Sequence, residues 1–114
     1  MELLTPHDLQ RALLAKSAEI DEALDEFRIA CLAWPDADRA ARIARNTALL
    51  TAEGKSADIR MAKAEQAAEE PIYAEKMKGA LKESAKSALN ARLAQLNALQ
   101  SLSSTVREEM RLAR

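Results

Sequence analysis

The chain carries one cysteine and one histidine in 114 residues. Cys31 has no second cysteine to close an internal disulfide, so a reducing, cytoplasmic setting is expected. A metal site needs several converging ligands, and His7 and Cys31 stand far apart in sequence. No spaced acidic loop offers carboxylates to a hard cation, and the Glu-x-x-His pattern of di-iron bundles is missing. No metal and no cofactor are expected. His7 is the only imidazole for a nucleophile–base pair and falls in a first helical turn, while Cys31 sits where cysteine behaves as a small hydrophobe. An enzyme is not expected.

Aromatics are equally scarce, with one Phe, one Trp and one Tyr, which leaves little for stacking nucleic-acid bases. Two glycines and three prolines leave few places to turn, and Val106 is the one valine, so strands have little support. No apolar run approaches the roughly 20 residues of a membrane span, and the N-terminus lacks the basic start and apolar stretch of a signal peptide. Contact with a membrane is not expected.

What is present is alanine and leucine, 25 and 16 residues. Alanine has the best helix propensity and lets helices approach closely, but it buries little area. The expected fold is all-α: an elongated helical bundle of about four helices with one long C-terminal helix, self-associating, in a single domain spanning 1–114. Net charge is −1 but unevenly spread. Residues 1–35 carry −4, residues 36–70 carry −1 and residues 71–114 carry +4. Opposite ends could meet each other within or between chains, or the basic end could meet an external anion.

Four helices are expected, at about 6–33, 37–53, 57–69 and 72–113. Thr5-Pro6-His7-Asp8 starts the first, with a capping hydroxyl, proline at the first helical position and a carboxylate three residues on. Leu9, Leu13, Ile20, Leu24, Phe27, Cys31 and Trp34 mark its inward face. Pro35 disfavours helical geometry at Trp34 and should end or kink it. The second helix turns Ile43 and Leu50 inward, filled by Ala40, Ala44 and Ala48, and stops at Gly54. Ser56 caps a short third helix, and Pro71 divides it from the fourth. Gly54-Lys55-Ser56 has the look of a phosphate loop, but the required earlier glycine is replaced by Leu49; a helix–helix turn accounts for it.

Two basic ladders and one apolar stripe remain. Arg39, Arg42 and Arg45 recur every third residue, and Lys78, Lys82 and Lys86 every fourth, each along one side of a helix. Either could follow a phosphate backbone with salt-dependent affinity, or be a solvated face, or pair with Asp21, Glu22, Asp25 and Glu26. Leu89, Leu96, Leu99, Val106 and Met110 recur at helical spacing. The fourth helix would be roughly 60 Å long, against a radius of gyration of about 13 Å for a compact domain of this size. Part of the stripe is therefore expected to form an oligomer interface beyond what the rest of the chain covers.

The stretch LLTAEGKSADIRMAKAEQ, followed by LNARLAQLNALQSLSSTVREEM, resembles small all-helical phage proteins encoded with recombination functions. Its layout is similar to that of tailed-phage recombination mediators, which bind single-stranded DNA as rings and help load a recombinase. The resemblance implies assembly through helices and DNA contacts from Arg42, Arg45, Lys55 and Arg60. It departs at NTALLTAEGKS, which has no aromatic where the mediators carry a basic, aromatic-bearing segment. Two functions follow as expectations. One is a non-enzymatic phage accessory protein of DNA recombination, binding single-stranded DNA or a recombinase as a homo-oligomer. The other is a protein-binding adaptor or inhibitor of a host defence enzyme with no nucleic-acid role.

Overall fold

A computed structural model describes residues 5–113 of the chain. All regular structure there is α-helical: α1 is Pro6–Thr51, α2 is Ala57–Ala67 and α3 is Glu69–Leu112. The all-α expectation holds, with three helices rather than four. Contacts divide the chain into two units. Unit 1 joins α1 up to Phe27 with α3 from Ala85 on, and unit 2 is Arg28–Ser84.

The start of α1 is a reciprocal capping box. The Asp8 backbone N–H donates to Thr5 Oγ1 at 3.1 Å, and the Thr5 N–H donates to Asp8 Oδ2 at 3.1 Å. Two backbone donors that the helix leaves unmet are thereby satisfied. These bonds favour the ionised carboxylate and hold the Asp8 pKa below its ordinary 3.8. A depressed folded pKa stabilises above the unfolded value, and the gain is lost as pH falls through the folded one. Acidification below the usual aspartate range should therefore fray the first turn of α1. Asp8→Asn should reproduce that fraying at neutral pH and remove its acid dependence. Amide exchange at residues 8–11 measures both effects; protection that is unchanged in the variant would contradict this role for the box.

Pro35 does not end α1, which runs through it unbroken. Proline removes one backbone hydrogen bond and crowds the carbonyl four residues back, a cost of about 3 kcal/mol. Burial of Ala41 and the contacts of Trp34, on either side of the proline, offset that cost. The expected second helix is thus the C-terminal half of α1, and its expected facing is corrected in part: Ala44 and Ala48 are half-buried as expected, but Ala40, Ile43 and Leu50 are exposed. Ile43 is 53% exposed and Leu50 87% exposed, whereas Ala41 is buried. Leu24 also faces out, beside a buried Ala23.

Helix α1 stops at Thr51, three residues before Gly54. Ser56 caps α2 as expected, its Oγ accepting from the Ile59 N–H at 3.2 Å. The joint between α2 and α3 is the single residue Ala68, not Pro71. Pro71 lies in the first turn of α3, where its missing N–H would have found no helical partner anyway. The serines and threonine at 101–105 do not interrupt α3 either. Thr105 Oγ1 turns back to donate to the Ser101 carbonyl at 3.1 Å.

In unit 1 the helices run antiparallel. Lys16 Nζ donates to Gln95 Oε1 at 2.8 Å, and Arg92 lies 3.6 Å from Glu19. Residue numbers thus rise on α1 as they fall on α3. The inward residues of α3 are Ala85, Leu89, Arg92, Leu96, Leu99, Ser103 and Val106. Their alternating steps of four and three are a coiled-coil seam. On α1 the seam is Leu9, Leu13, Lys16, Ile20, Ala23 and Phe27. Lys16 is only 18% exposed and is met by Glu19 at 2.6 Å as well as by Gln95. Such a satisfied polar layer fixes register at some cost in stability. Glu19 is held below its ordinary pKa of 4.5, first by the Lys16 hydrogen bond.

Unit 2 is closed by alanine. Ala41, Ala64 and Ala68 are its buried residues. Small side chains allow close helix approach but leave the larger apolar residues outside.

Candidate functional site

The structure places the eight basic candidates on all three helices and one connector, and half of them already have partners. On α1, Arg42 sits 3.2 Å from Asp38, one turn back. Arg45 lies 3.9 Å from Glu65 of α2, and its Nε is buried without a hydrogen-bond acceptor. Arg60 on α2 donates to the Gly54 carbonyl at 3.0 Å, tying the connector to the helix it precedes. Lys82 on α3 holds its Nζ 4.3 Å above the centre of the Trp34 ring.

That last contact belongs to the principal anchor of unit 2. The Trp34 Nε1–H donates to Glu75 Oε1 at 3.1 Å, while Lys82 covers the ring face. The indole is held between an anion at its edge and a cation on its face, which suits its quadrupole. Gly79 makes room for it, since a Cβ there would stand 3.2 Å from Trp34 Nε1. Lys82 is thus a packing residue as well as a cation.

Four candidates remain exposed and without a partner among the described residues: Arg39, Lys55, Lys78 and Lys86. The lysine ladder is divided, because Lys78 and Lys82 belong to unit 2 and Lys86 to unit 1. Arg45 does meet a lysine the ladders omitted. With Lys76 it lines a groove of about 290 Å³ that also has Glu65, Glu69, Ile72 and Tyr73 on its walls. Two bases and two acids cancel there, so this is no anion trough. In unit 1 a groove of about 480 Å³ runs over Leu13, Leu96, Ser103 and Arg107. Among the described residues no group of His, Cys, Asp and Glu could hold a metal ion. No described helix is long and apolar enough to cross a membrane.

Of the expected interface residues, Leu89, Leu96, Leu99 and Val106 are half-buried within unit 1, while Met110 is 49% exposed. The larger uncovered apolar surface lies in unit 2. On α1, Ile29 is 68%, Leu32 71%, Ile43 53% and Leu50 87% exposed. On α3, Tyr73, Met77 and Leu81 form an exposed row at steps of four. The α1 face was readable in the sequence as apolar residues at positions 29, 43 and 50, in steps that are multiples of seven. Reading alanines and leucines as one inward face hid it.

No family model matches the chain, and neither a curated protein nor a solved structure matches it.

Proposed function

We propose that this chain is a non-enzymatic helical interaction protein that works by presenting apolar helix faces to another protein. The observation that carries this reading is the outward set Ile29, Leu32, Ile43 and Leu50, on the stretch of α1 whose one buried residue is Ala41. Scattered single hydrophobes on a surface are ordinary, but a row of large ones along one helix face marks a site of association. Protein association is also common to both functions expected from sequence, whether the partner is a recombinase, a host enzyme or the chain itself.

A second reading, single-strand binding by a recombination accessory protein, draws on Arg39, Lys55 and Lys78. All three are exposed and unpaired in unit 2. Against it, Arg42, Arg45, Arg60 and Lys82 are engaged within the chain. A fluorescence-anisotropy titration with a labelled single-stranded oligonucleotide, at low and physiological salt, separates the readings. Protein association predicts no saturable binding at physiological salt. Saturable binding there, falling with added salt and lost in an Arg39→Glu, Lys55→Glu, Lys78→Glu variant, would overturn it. Lys82 is left in place because its removal would also loosen Trp34.

A further inference from the structure

In unit 2, α1 has two apolar faces. The buried Ala41 marks the inner one. At 3.6 residues per turn, Ile29, Leu32, Ile43 and Leu50 fall within a sector of roughly 60° on the opposite side. Filling in the intervening positions gives Ile29, Leu32, Asp36, Arg39, Ile43, Asn46 and Leu50, at steps of three and four. That is the spacing of a coiled-coil seam, and every one of these residues is exposed. Its middle is charged. Asp36 and Arg39 have opposite sign, and neither has an ion-pair or hydrogen-bond partner among the described residues.

We propose that this face binds the same face of a second copy of the chain, antiparallel, about a twofold axis between Ala37 and Asp38. The inference rests on the association reading above and names the partner. With that axis, Leu32 meets Ile43 of the second copy and Asp36 meets its Arg39. The symmetry then supplies Arg39 on Asp36 and Ile43 on Leu32. Ile29 falls opposite Asn46, and beyond it Leu50 falls opposite Asp25 at each end. A twofold contact must be self-complementary, and this seam is: two opposite-charge pairs flanked by two apolar layers. The flanking positions oppose Ala33 to Ala40 and Pro35 to Arg42, so no like charges meet.

The alternatives fail on charge. Parallel pairing would set Asp36 against Asp36 and Arg39 against Arg39. Self-pairing of the exposed α3 row about Met77 would oppose Lys76 to Lys78. The central ion pairs of the α1 seam fix direction and register more than they add affinity. A reversible dimer is therefore the expected outcome.

Sedimentation velocity of the full chain over a concentration series tests this. The variants are Asp36→Arg, Arg39→Glu, the double variant, and an equimolar mixture of the two single variants. Wild type should pass from monomer to dimer as concentration rises. Each single variant sets like charges opposed twice, and its association should weaken by at least about tenfold. The double variant restores opposite charges and should dimerise. So should the mixture, where a chain with two bases at the seam's centre meets a chain with two acids there. Circular dichroism checks that helix content is kept. Asp36→Lys and Arg39→Asp, read the same way, replace any variant that loses it. A wild type that stays monomeric at every concentration overturns the proposal. So does a dimer that the single variants leave unchanged; it would put self-association on another face while the association reading stands. Failure of that reading shows separately, as oligonucleotide binding.

Discussion

Trp34→Ala should be among the most damaging single substitutions in unit 2, lowering stability by about 3 kcal/mol. Full truncation of a buried tryptophan costs about 3–5 kcal/mol, and Trp34 is half-buried, which favours the lower end. Its hydrogen bond to Glu75 contributes about 0.5–1.5 kcal/mol. The Lys82 contact adds about 0.5–1 kcal/mol. Trp34→Phe keeps most of the ring and loses the donor, so it should cost about 1 kcal/mol. The anchor also predicts the effect of Gly79→Leu. A side chain there crowds the indole, because the first added carbon already stands 3.2 Å from Nε1 and a leucine's further carbons need more room than a small shift of the ring provides. Although leucine favours helix, Gly79→Leu should destabilise. Urea unfolding followed by circular dichroism measures all three variants. A Trp34→Ala midpoint equal to wild type would show that the alanine contacts alone close unit 2.

Leu9→Ala should have the largest effect in unit 1, about 2–3 kcal/mol. Leu9 is the one large side chain among the buried residues, at 2% exposure. Leucine-to-alanine changes in cores cost about 2–5 kcal/mol, less where the site can collapse. Leu9 borders a groove shared with Leu13, Ser103 and Val106, so partial collapse is available. It sits near the start of α1, and stability there is lost locally before it is lost globally. Amide exchange should therefore show the loss in the first turns of α1 and in α3 around Ser103–Val106, with residues near Trp34 unchanged. Uniform loss across the chain would mean that the two units unfold as one.

The elements most legible in the sequence were those fixed by local chemistry. The Thr5–Asp8 box and the Ser56 cap are short-range hydrogen bonds, and both appear where the residues predicted them. The C-terminal stripe was legible because Leu89, Leu96, Leu99 and Val106 repeat at helical spacing. The breaks were less so. Proline has a large local cost, yet at position 35 packing on both sides carries the helix through, and at position 71 a helix start removes most of that cost. Facing in the second half of α1 was the least legible. Ala40, Ala44 and Ala48 read as filler on one inward face carried by Ile43 and Leu50. The structure buries Ala41 and exposes both.

The basic candidates were legible as positions but not as free charges. Lys82 is spaced like Lys78 and Lys86, and only the fold brings Trp34 beneath it. Arg45 and Glu65 are twenty residues apart in sequence. No pattern along either helix announces their approach.

The most direct test of the central claim, that the outward apolar face of α1 pairs two copies of the chain, is sedimentation velocity of a Leu32→Glu, Ile43→Glu variant beside wild type. Both side chains are exposed in the single chain, so helix content should be unchanged. The account predicts association by wild type at rising concentration and a variant that stays monomeric. Equal sedimentation of the two at every concentration would contradict it.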